Sequence, residues 1–161
     1  MMDSVYLETT VIGNIAGRLH PDPVIAARQI VTRKWWAKAF ARYELFASAL
    51  VIDECRGGGA DAAKERLAVL DGIPLLGSST EAETLVEALL NGKAVPRSEP
   101  RDATHIAIAA ANGINYLASW NFKHILNPGT MRTIESVCRS SGFDPPMLVT
   151  PEQLFEAFDD S

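Results

Sequence analysis

The sequence predicts an α/β fold, a three-layer α/β/α sandwich around a mostly parallel sheet of about five strands. Short β-prone runs alternate with longer helix-prone segments along the chain. Because parallel strands need long crossover connections, which are usually helices, this alternation favours a parallel sheet covered on both faces. The chain has 161 residues, the size of one domain, and contains no evident linker or repeat. We therefore predict a single domain over residues 1–161.

The predicted strands are short runs rich in β-branched, aromatic and leucine side chains. They lie at residues 5–7, 43–48, 73–76, 115–119 and 147–150. Pro74 lies inside the third run. Because proline cannot donate to a sheet ladder, this run is predicted to be an edge strand.

The predicted helices are placed by their caps and by the prolines and glycines that flank them. They occupy residues 23–41, 49–55, 62–70, 80–90, 100–111 and 131–139, with a short helix after residue 8 and another from residue 151. Thr9 or Thr10 is the candidate N-cap of the first helix, and Ser48 begins the helix at 49–55. Pro23 and Pro100 each suit the first turn of a helix. The interior of the helix at 100–111 is apolar nearly all round, which predicts deep burial.

Composition and charge exclude several classes of protein. The net charge is −5 and the pI about 5.2, so the chain as a whole has no basic footprint for nucleic acid, although a local groove can still be basic. The two cysteines form no disulfide scaffold and no zinc-type pair, so we expect both to be buried as small apolar residues. Residues 1–4 show no basic region followed by an apolar stretch, so we expect no signal peptide, and no apolar run approaches the roughly 20 residues that span a bilayer. We expect a cytoplasmic protein that does not enter the membrane.

Four polar residues are predicted to gather at one edge of the sheet. Glu8 directly follows the first strand, and Asn121 comes just after the fourth. Glu54 lies in the helix after the second strand, and Asp102 lies in the first turn of the helix that leads into the fourth. Ligand sites of open parallel sheets lie beyond the carboxyl ends of the strands, where the strand order reverses. If the first and fourth strands are neighbours, these four side chains converge there.

Carboxylates held close together need a counter-charge, because like charges raise one another's pKa. Mg²⁺ or Mn²⁺ supplies it, since these cations prefer carboxylate, water and phosphate oxygens as ligands. Each residue alone also has a plainer interpretation. Asp102 would interact favourably with the dipole of its helix, Glu8 would be a solvated turn residue, and Glu54 would be an exposed helical residue. Asp53 is an alternative to Glu54, because adjacent helical residues point about 100° apart.

Four segments of the chain resemble the PIN domain family. That family has an acidic residue and a hydroxyl after its first strand, a glutamate after the second, an aspartate opening an alanine-rich helix, and an acidic residue after the next strand. The matching segments are VYLETT at residues 5–10, VIDE at 51–54, RDATHIAIA at 101–109 and LASWNFKH at 117–124. The resemblance is nearest to VapC-like toxins of toxin–antitoxin modules and to related bacterial proteins.

The resemblance implies a PIN-like fold and an Mg²⁺- or Mn²⁺-dependent endoribonuclease, the toxin of a toxin–antitoxin module. The implied metal ligands and catalytic residues are Glu8, Glu54, Asp102 and Asn121. Thr9 or Thr10 would support Glu8 by hydrogen bonding. The implied partners are an RNA substrate, an antitoxin protein that blocks the acidic pocket, and a second copy of the chain.

Two positions depart from the family pattern. Glu8 stands where aspartate is usual, and Asn121 stands where an acidic residue is usual. Glu8 has an extra methylene, and Asn121 offers a carbonyl oxygen without a charge. These departures leave open an alternative function, a catalytically weak or inactive PIN-fold module that binds RNA or a protein. A phosphatase or nucleotide-binding protein is the third alternative, and the lack of a GxGxxG or Walker-type loop counts against it.

Further side chains each have more than one interpretation. Residues 33–42 combine basic residues with two tryptophans, which suits RNA contact or an amphipathic helix with its tryptophans in the core or at a dimer interface. His105, one turn after Asp102, is a metal ligand, a proton carrier or a core histidine. Lys123 and His124 approach a phosphate or bond to their own loop. Arg101 pairs with substrate phosphate or with a surface acid.

Overall fold

The computed structural model of the chain describes residues 1–159. Within them, five strands form one sheet: β1 (Asp3–Leu7), β2 (Tyr43–Ser48), β3 (Leu75–Leu76), β4 (Tyr116–Ala118) and β5 (Met147–Val149). The helices are α1 (Thr9–Ile15), α2 (Pro23–Arg42), α3 (Ala49–Cys55), α4 (Ala60–Val69), α5 (Thr80–Asn91), α6 (Pro100–Ala111), α7 (Pro128–Ser140) and α8 (Pro151–Asp159). Each pair of consecutive strands is connected by one or two helices, as the sequence predicts.

The sheet has the strand order β3-β2-β1-β4-β5, and every strand pair is parallel. The central strand β1 lies between β2 and β4, with Tyr6 in register with Phe46 on one side and Leu117 on the other. The chain builds outward from β1 first in one direction and then in the other. The switch in strand order therefore lies between β1 and β4, which confirms the expected neighbourhood of the first and fourth strands.

The helices form two layers on the sheet. On one face α2 packs against α1 and α8, and on the other α5 packs against α6 and α7. Residues 5–7 of β1 are fully buried between these layers. The alanine-rich helix α6 is buried throughout residues 105–110, as its apolar surface predicts. The result is the predicted three-layer α/β/α sandwich.

The structure corrects several predicted boundaries. The N-cap of α1 is Glu8, not Thr9 or Thr10, and its side chain makes no capping bond. The two threonines are instead the first helical residues, which leaves their hydroxyl groups to donate to carboxylates. Helix α7 begins at Pro128, earlier than predicted, because the Asn127 side chain accepts from the Gly129 N–H and caps it there.

The basic, tryptophan-rich segment of α2 contributes to packing. Trp35 is 2% exposed, and its ring centroid lies 6.3 Å from that of Tyr43. Lys38 lies over the ring of Phe155 at 5.4 Å. Arg42 directly precedes β2, so this end of α2 is at the amino ends of the strands. Trp35 therefore lies in the core, as the amphipathic-helix interpretation predicted. The segment ends at the amino ends of the strands, whereas Glu8 lies at their carboxyl ends.

Both cysteines are buried free thiols, as predicted. Burial raises the pKa of Cys55 and of Cys138 to about 11, so neither thiol ionises near neutral pH. Among the helices of residues 1–159, none combines the length and the apolarity needed to cross a bilayer.

Candidate functional site

Glu8 lies at the carboxyl end of β1, where the strand order reverses. Its backbone N–H donates to the carbonyl of Ala118, the last residue of β4, at 3.1 Å. Its side chain is 4% exposed, and Oε1 accepts hydrogen bonds from the hydroxyls of Thr10 and Ser119. No basic residue that the structure describes lies at ion-pairing distance from this carboxylate. Glu8 is thus a buried carboxylate held by neutral groups alone.

Glu54 reaches the same edge from α3. Its Oε1 is 2.6 Å from Thr9 Oγ1 and 2.6 Å from His105 Nε2, and Oε2 is 3.9 Å from the Arg101 guanidinium. Burial raises the pKa of Glu54, but the hydrogen bonds from His105 and Thr9 and the charge of Arg101 outweigh it. The pKa of Glu54 is therefore below its usual value, and the side chain is ionised at neutral pH.

A chain of buried hydrogen bonds supports Glu54 from below. His105 is fully buried, and its Nδ1 lies 2.7 Å from the hydroxyl of Tyr6, which lies 2.8 Å from Ser48 Oγ. An ionised carboxylate only accepts, so His105 Nε2–H donates to Glu54, and in the neutral form of the ring Nδ1 accepts from the Tyr6 hydroxyl. Burial raises the pKa of Tyr6 well above its usual value, which keeps its hydroxyl a donor. This series of hydrogen bonds fixes the orientation of Glu54.

The donor set fits a hard divalent cation. Ligand atoms of Glu8, Glu54 and His105 lie within 4.8 Å of one another. Both ring nitrogens of His105 already have hydrogen-bond partners, so the group offers carboxylate oxygens rather than an imidazole. The second oxygen of Glu8 has no hydrogen-bond partner among residues 1–159. Oxygen donors suit Mg²⁺ and Mn²⁺, the cations that the sequence predicts.

Asp102 and Asn121 form a neighbouring pair. Asp102 is in the first turn of α6, and burial raises its pKa above the usual value, opposed by a hydrogen bond from the Asn121 side chain and by electrostatic interaction with His124 and His105. The Asn121 carbonyl oxygen accepts from the His124 N–H at 3.0 Å, so it also closes its own loop. The four predicted residues therefore fall into two pairs, linked by His105 one turn after Asp102.

The structure separates the two acidic residues of α3. Asp53 has a side chain that is 62% exposed and lies 3.6 Å from Arg101, whereas Glu54 joins the buried cluster. The alternative in which Asp53 replaces Glu54 in the cluster does not occur. Arg101 bridges both residues, as the surface-acid interpretation predicted. Thr10 supports Glu8 as expected, while Thr9 supports Glu54 instead.

Sequence reasoning missed two residues that organise the site. Ser119 is fully buried, and its Oγ donates to Glu8 at 2.7 Å and accepts from the Asn121 N–H at 2.9 Å, which joins the two pairs. A serine at the last position of a predicted strand, at the same edge as Glu8, was the available signal. Tyr6 gave no comparable signal, because aromatic residues are common in buried strands.

Comparison with known proteins adds no family assignment to this geometry. The chain matches no protein-family model, no curated protein and no solved structure. A function is therefore inferred from the arrangement of Glu8, Glu54, Asp102 and Asn121, and from the PIN resemblance of the sequence segments that contain them.

Proposed function

We propose that this chain is a metal-dependent endoribonuclease of the PIN type, which hydrolyses RNA phosphodiester bonds. The observation that carries the proposal is the carboxylate of Glu8. It is 4% exposed, is bonded only to neutral hydroxyls, and has a carboxylate oxygen within 4.8 Å of a carboxylate oxygen of Glu54 and a ring nitrogen of His105. RNA as the substrate comes from the resemblance of the four sequence segments to PIN domains.

A bound divalent cation would offset the unfavourable charges of this site. Burying a carboxylate without a cation is costly, and an ionised neighbour adds repulsion. Glu8 and Glu54 would hold Mg²⁺ or Mn²⁺, with Asp102 and Asn121 completing the site. When bound, the cation supplies Lewis-acid stabilisation of the charge on a phosphodiester oxygen.

The side chains of the protein have distinct roles in this proposal. His105 and Thr9 keep Glu54 ionised and in one orientation, and Ser119 does the same for the orientation of Glu8. The Asp102 carboxylate, in the first turn of α6, would accept the proton of the attacking water. Hydrolysis then breaks the phosphorus–oxygen bond as the water oxygen bonds to phosphorus, and the departing RNA oxygen takes up a proton.

The first test is calorimetric titration with Mn²⁺, with cleavage of a mixed RNA pool measured in parallel. Glu54→Gln and Asp102→Asn should each lose Mn²⁺ binding and cleavage, since each removes an anionic oxygen from the site. Asp53→Asn is the matched control, because it neutralises the adjacent, exposed acid of the same helix. It should bind Mn²⁺ and cut RNA as the parent does.

Two results would contradict the nuclease proposal. One is a parent protein that neither binds Mn²⁺ nor cuts RNA. The other is cleavage that survives in both Glu54→Gln and Asp102→Asn, which would indicate a contaminating ribonuclease or a different site.

A second candidate function is a PIN-fold module that binds RNA or a protein without cleaving. Two observations favour it: the Asn121 carbonyl oxygen accepts from the His124 N–H, and Glu54 already has the Arg101 guanidinium and the hydrogen-bonded His105 as partners. Saturable RNA binding in EDTA, with Mn²⁺ binding but no cleavage, would select this function.

The resemblance extends the nuclease proposal to the toxin of a toxin–antitoxin module. An antitoxin protein would then cover the acidic pocket and block access to it. Induced expression of the parent should arrest growth of a bacterial host, and Asp102→Asn should abolish the arrest. Arrest that persists in the variant would count against toxicity through this site.

A further inference from the structure

A cavity of about 540 Å³ opens beside the candidate site, between the end of α5 and the loop that precedes α7. Its basic lining residues are Lys93, Arg97, Lys123 and His124. None of the described residues that line it is acidic, although the chain has 20 acidic residues against 15 lysines and arginines. Three other surface cavities each contain at least one glutamate and at most one basic residue. The lining of this cavity is therefore basic, although the chain as a whole is acidic.

The basic side chains of this cavity lack acidic partners. Lys93, Arg97 and Lys123 are exposed, and none forms an ion pair with a residue in the described part of the chain. Arg97 donates to the amide oxygen of Asn91, which brings no charge. Asn127, at the amino end of α7, also lines the cavity, and a helix amino end adds a partial positive charge. An anion would meet several donors here and no competing carboxylate.

The backbone of Lys93 has an unusual conformation. Its φ is 58°, and it is the one non-glycine residue with positive φ among residues 1–159. Glycine usually occupies this conformation after a helix. The adjacent Gly92 has a φ of −78°, so it does not need the freedom of glycine at positive φ. A Cβ at Gly92 would lie 3.0 Å from Val137 Cγ2, so glycine there allows the close packing of Val137. Because glycine would be unstrained at this position, the strained backbone of Lys93 supports a binding role for its side chain.

The cavity and the candidate site share one loop. His124 lines the cavity, and its N–H donates to the Asn121 carbonyl oxygen. Asn121 in turn is bonded to Ser119, which holds Glu8. A polymer with one phosphate at the carboxylates would therefore place a neighbouring phosphate near the cavity.

We propose that this cavity binds a phosphate ester of single-stranded RNA, next to the phosphate on which the carboxylates act. The choice of RNA rests on the proposed function, whereas the phosphate chemistry follows from the lining of the cavity. A free nucleotide carries the same group, and the volume of about 540 Å³ lies within the range of small-molecule pockets. The test therefore includes both ligands.

The test measures binding of a fluorescent single-stranded oligoribonucleotide in EDTA, so that it does not depend on metal or cleavage. Lys93→Gly removes a charge and relaxes the backbone. Its melting temperature should stay the same or rise, while RNA affinity falls by about threefold to tenfold and the slope of log K against log salt shrinks by about 0.7. Lys123→Ala should do the same to binding, and the double variant should lose both contributions.

Lys64→Ala is the control for net charge. Lys64 is exposed on α4, which packs against α1 and α3 rather than beside the cavity. It should bind RNA as the parent does, because distant exposed charges are screened by salt. An equal loss in Lys64→Ala, or parent-like affinity in the double variant, would overturn the inference.

Competition with adenosine monophosphate distinguishes the two sources of phosphate. If the mononucleotide displaces RNA only at far higher concentration, the RNA backbone is the ligand. Displacement at a similar concentration would overturn the RNA assignment in favour of a free nucleotide. Cleavage with Mn²⁺ is scored separately: a parent that binds RNA through these lysines but never cuts it supports the cavity inference and contradicts the nuclease proposal.

Discussion

Glu8 is the side chain on which the interpretation of the site depends most. The fold buries its carboxylate and satisfies one oxygen with the hydroxyls of Thr10 and Ser119, but offers it no cation from the described residues. Natural proteins accept such local costs where function needs them. A variant that removes the charge while keeping the hydrogen bonds should therefore separate stability from function.

We expect Glu8→Gln to fold with a melting temperature equal to or above that of the parent in EDTA. The amide oxygen still accepts from the two hydroxyls, and the cost of a buried charge is gone. Mn²⁺ binding should be lost at the same time. Thermal melts with and without Mn²⁺ measure both effects, and a marked loss of stability in EDTA would show that the charge itself stabilises the fold.

Tyr6 has a structural role that its neighbours in β1 do not share. Tyr6→Phe should lower the free energy of unfolding by about 1–3 kcal/mol, because it leaves His105 Nδ1 buried without a donor. It should also weaken Mn²⁺ binding, since Glu54 is then less well oriented. Urea denaturation measures the first effect and calorimetry the second.

Tyr116→Phe is the matched control for Tyr6→Phe. Tyr116 is a partly buried residue of β4 whose hydroxyl has no hydrogen-bond partner among residues 1–159. Its replacement should leave both measurements nearly unchanged. Equal effects of the two substitutions would argue against the supporting role of the Tyr6–His105 bond.

Two glycines illustrate how helices of this fold differ in their tolerance of side chains. Gly13 lies on the exposed side of α1, and a Cβ added there would meet no atom within 4 Å. A Cβ at Gly92 would instead come within 3.0 Å of Val137 on α7 and 3.1 Å of the Ala88 carbonyl. Replacement by alanine should therefore change the free energy of unfolding in opposite directions at the two positions, because the first has space for a Cβ and the second is closely packed.

Gly13→Ala should raise the free energy of unfolding by about 0.5–1 kcal/mol, because alanine loses less backbone entropy in a helix. Gly92→Ala should lower it by about 1–3 kcal/mol, because α5 must move away from α7. Chemical denaturation of both variants measures the two signs. Stabilisation by both would mean that the contact between α5 and α7 adjusts easily.

The acid stability of the whole molecule should depend on two carboxyls with opposite effects. The pKa of Glu54 is lowered on folding, so its contribution to stability is present above 4.5, the usual value for glutamate, and is lost as pH falls through the folded pKa. The pKa of Asp102 is raised, so its ionisation costs stability as pH rises above 3.8, the usual value for aspartate.

Removing these groups should therefore change the acid limb of the stability curve in opposite directions. Glu54→Gln should lose less stability than the parent between neutral pH and pH values below 4.5, and Asp102→Asn should lose more. Denaturation at a series of pH values in EDTA measures both slopes. Parallel curves for the parent and both variants would contradict the environments described for these carboxyls.

The architecture of the molecule follows from local patterns. The bounds of β2, α3 and α6 agree with the sequence prediction, because capping residues, prolines and apolar periodicity act over a few neighbouring residues. The same patterns placed Glu8, Glu54, Asp102 and Asn121 at the carboxyl edge of the sheet. The start of α7 was missed because its cap is a side-chain contact from Asn127 inside a polar loop.

The pairing of side chains within the site came from long-range packing. His105 is 51 residues from Glu54 in the chain and 99 residues from Tyr6, and no local pattern indicates that the three are hydrogen-bonded. Packing of α3, α6 and β1 also assigned Glu54 rather than Asp53 to the buried cluster. The hydrophobic periodicity of the sequence indicates which face of a helix or strand is buried. The hydrogen-bond partner of a buried polar atom depends instead on how separate helices and strands pack together.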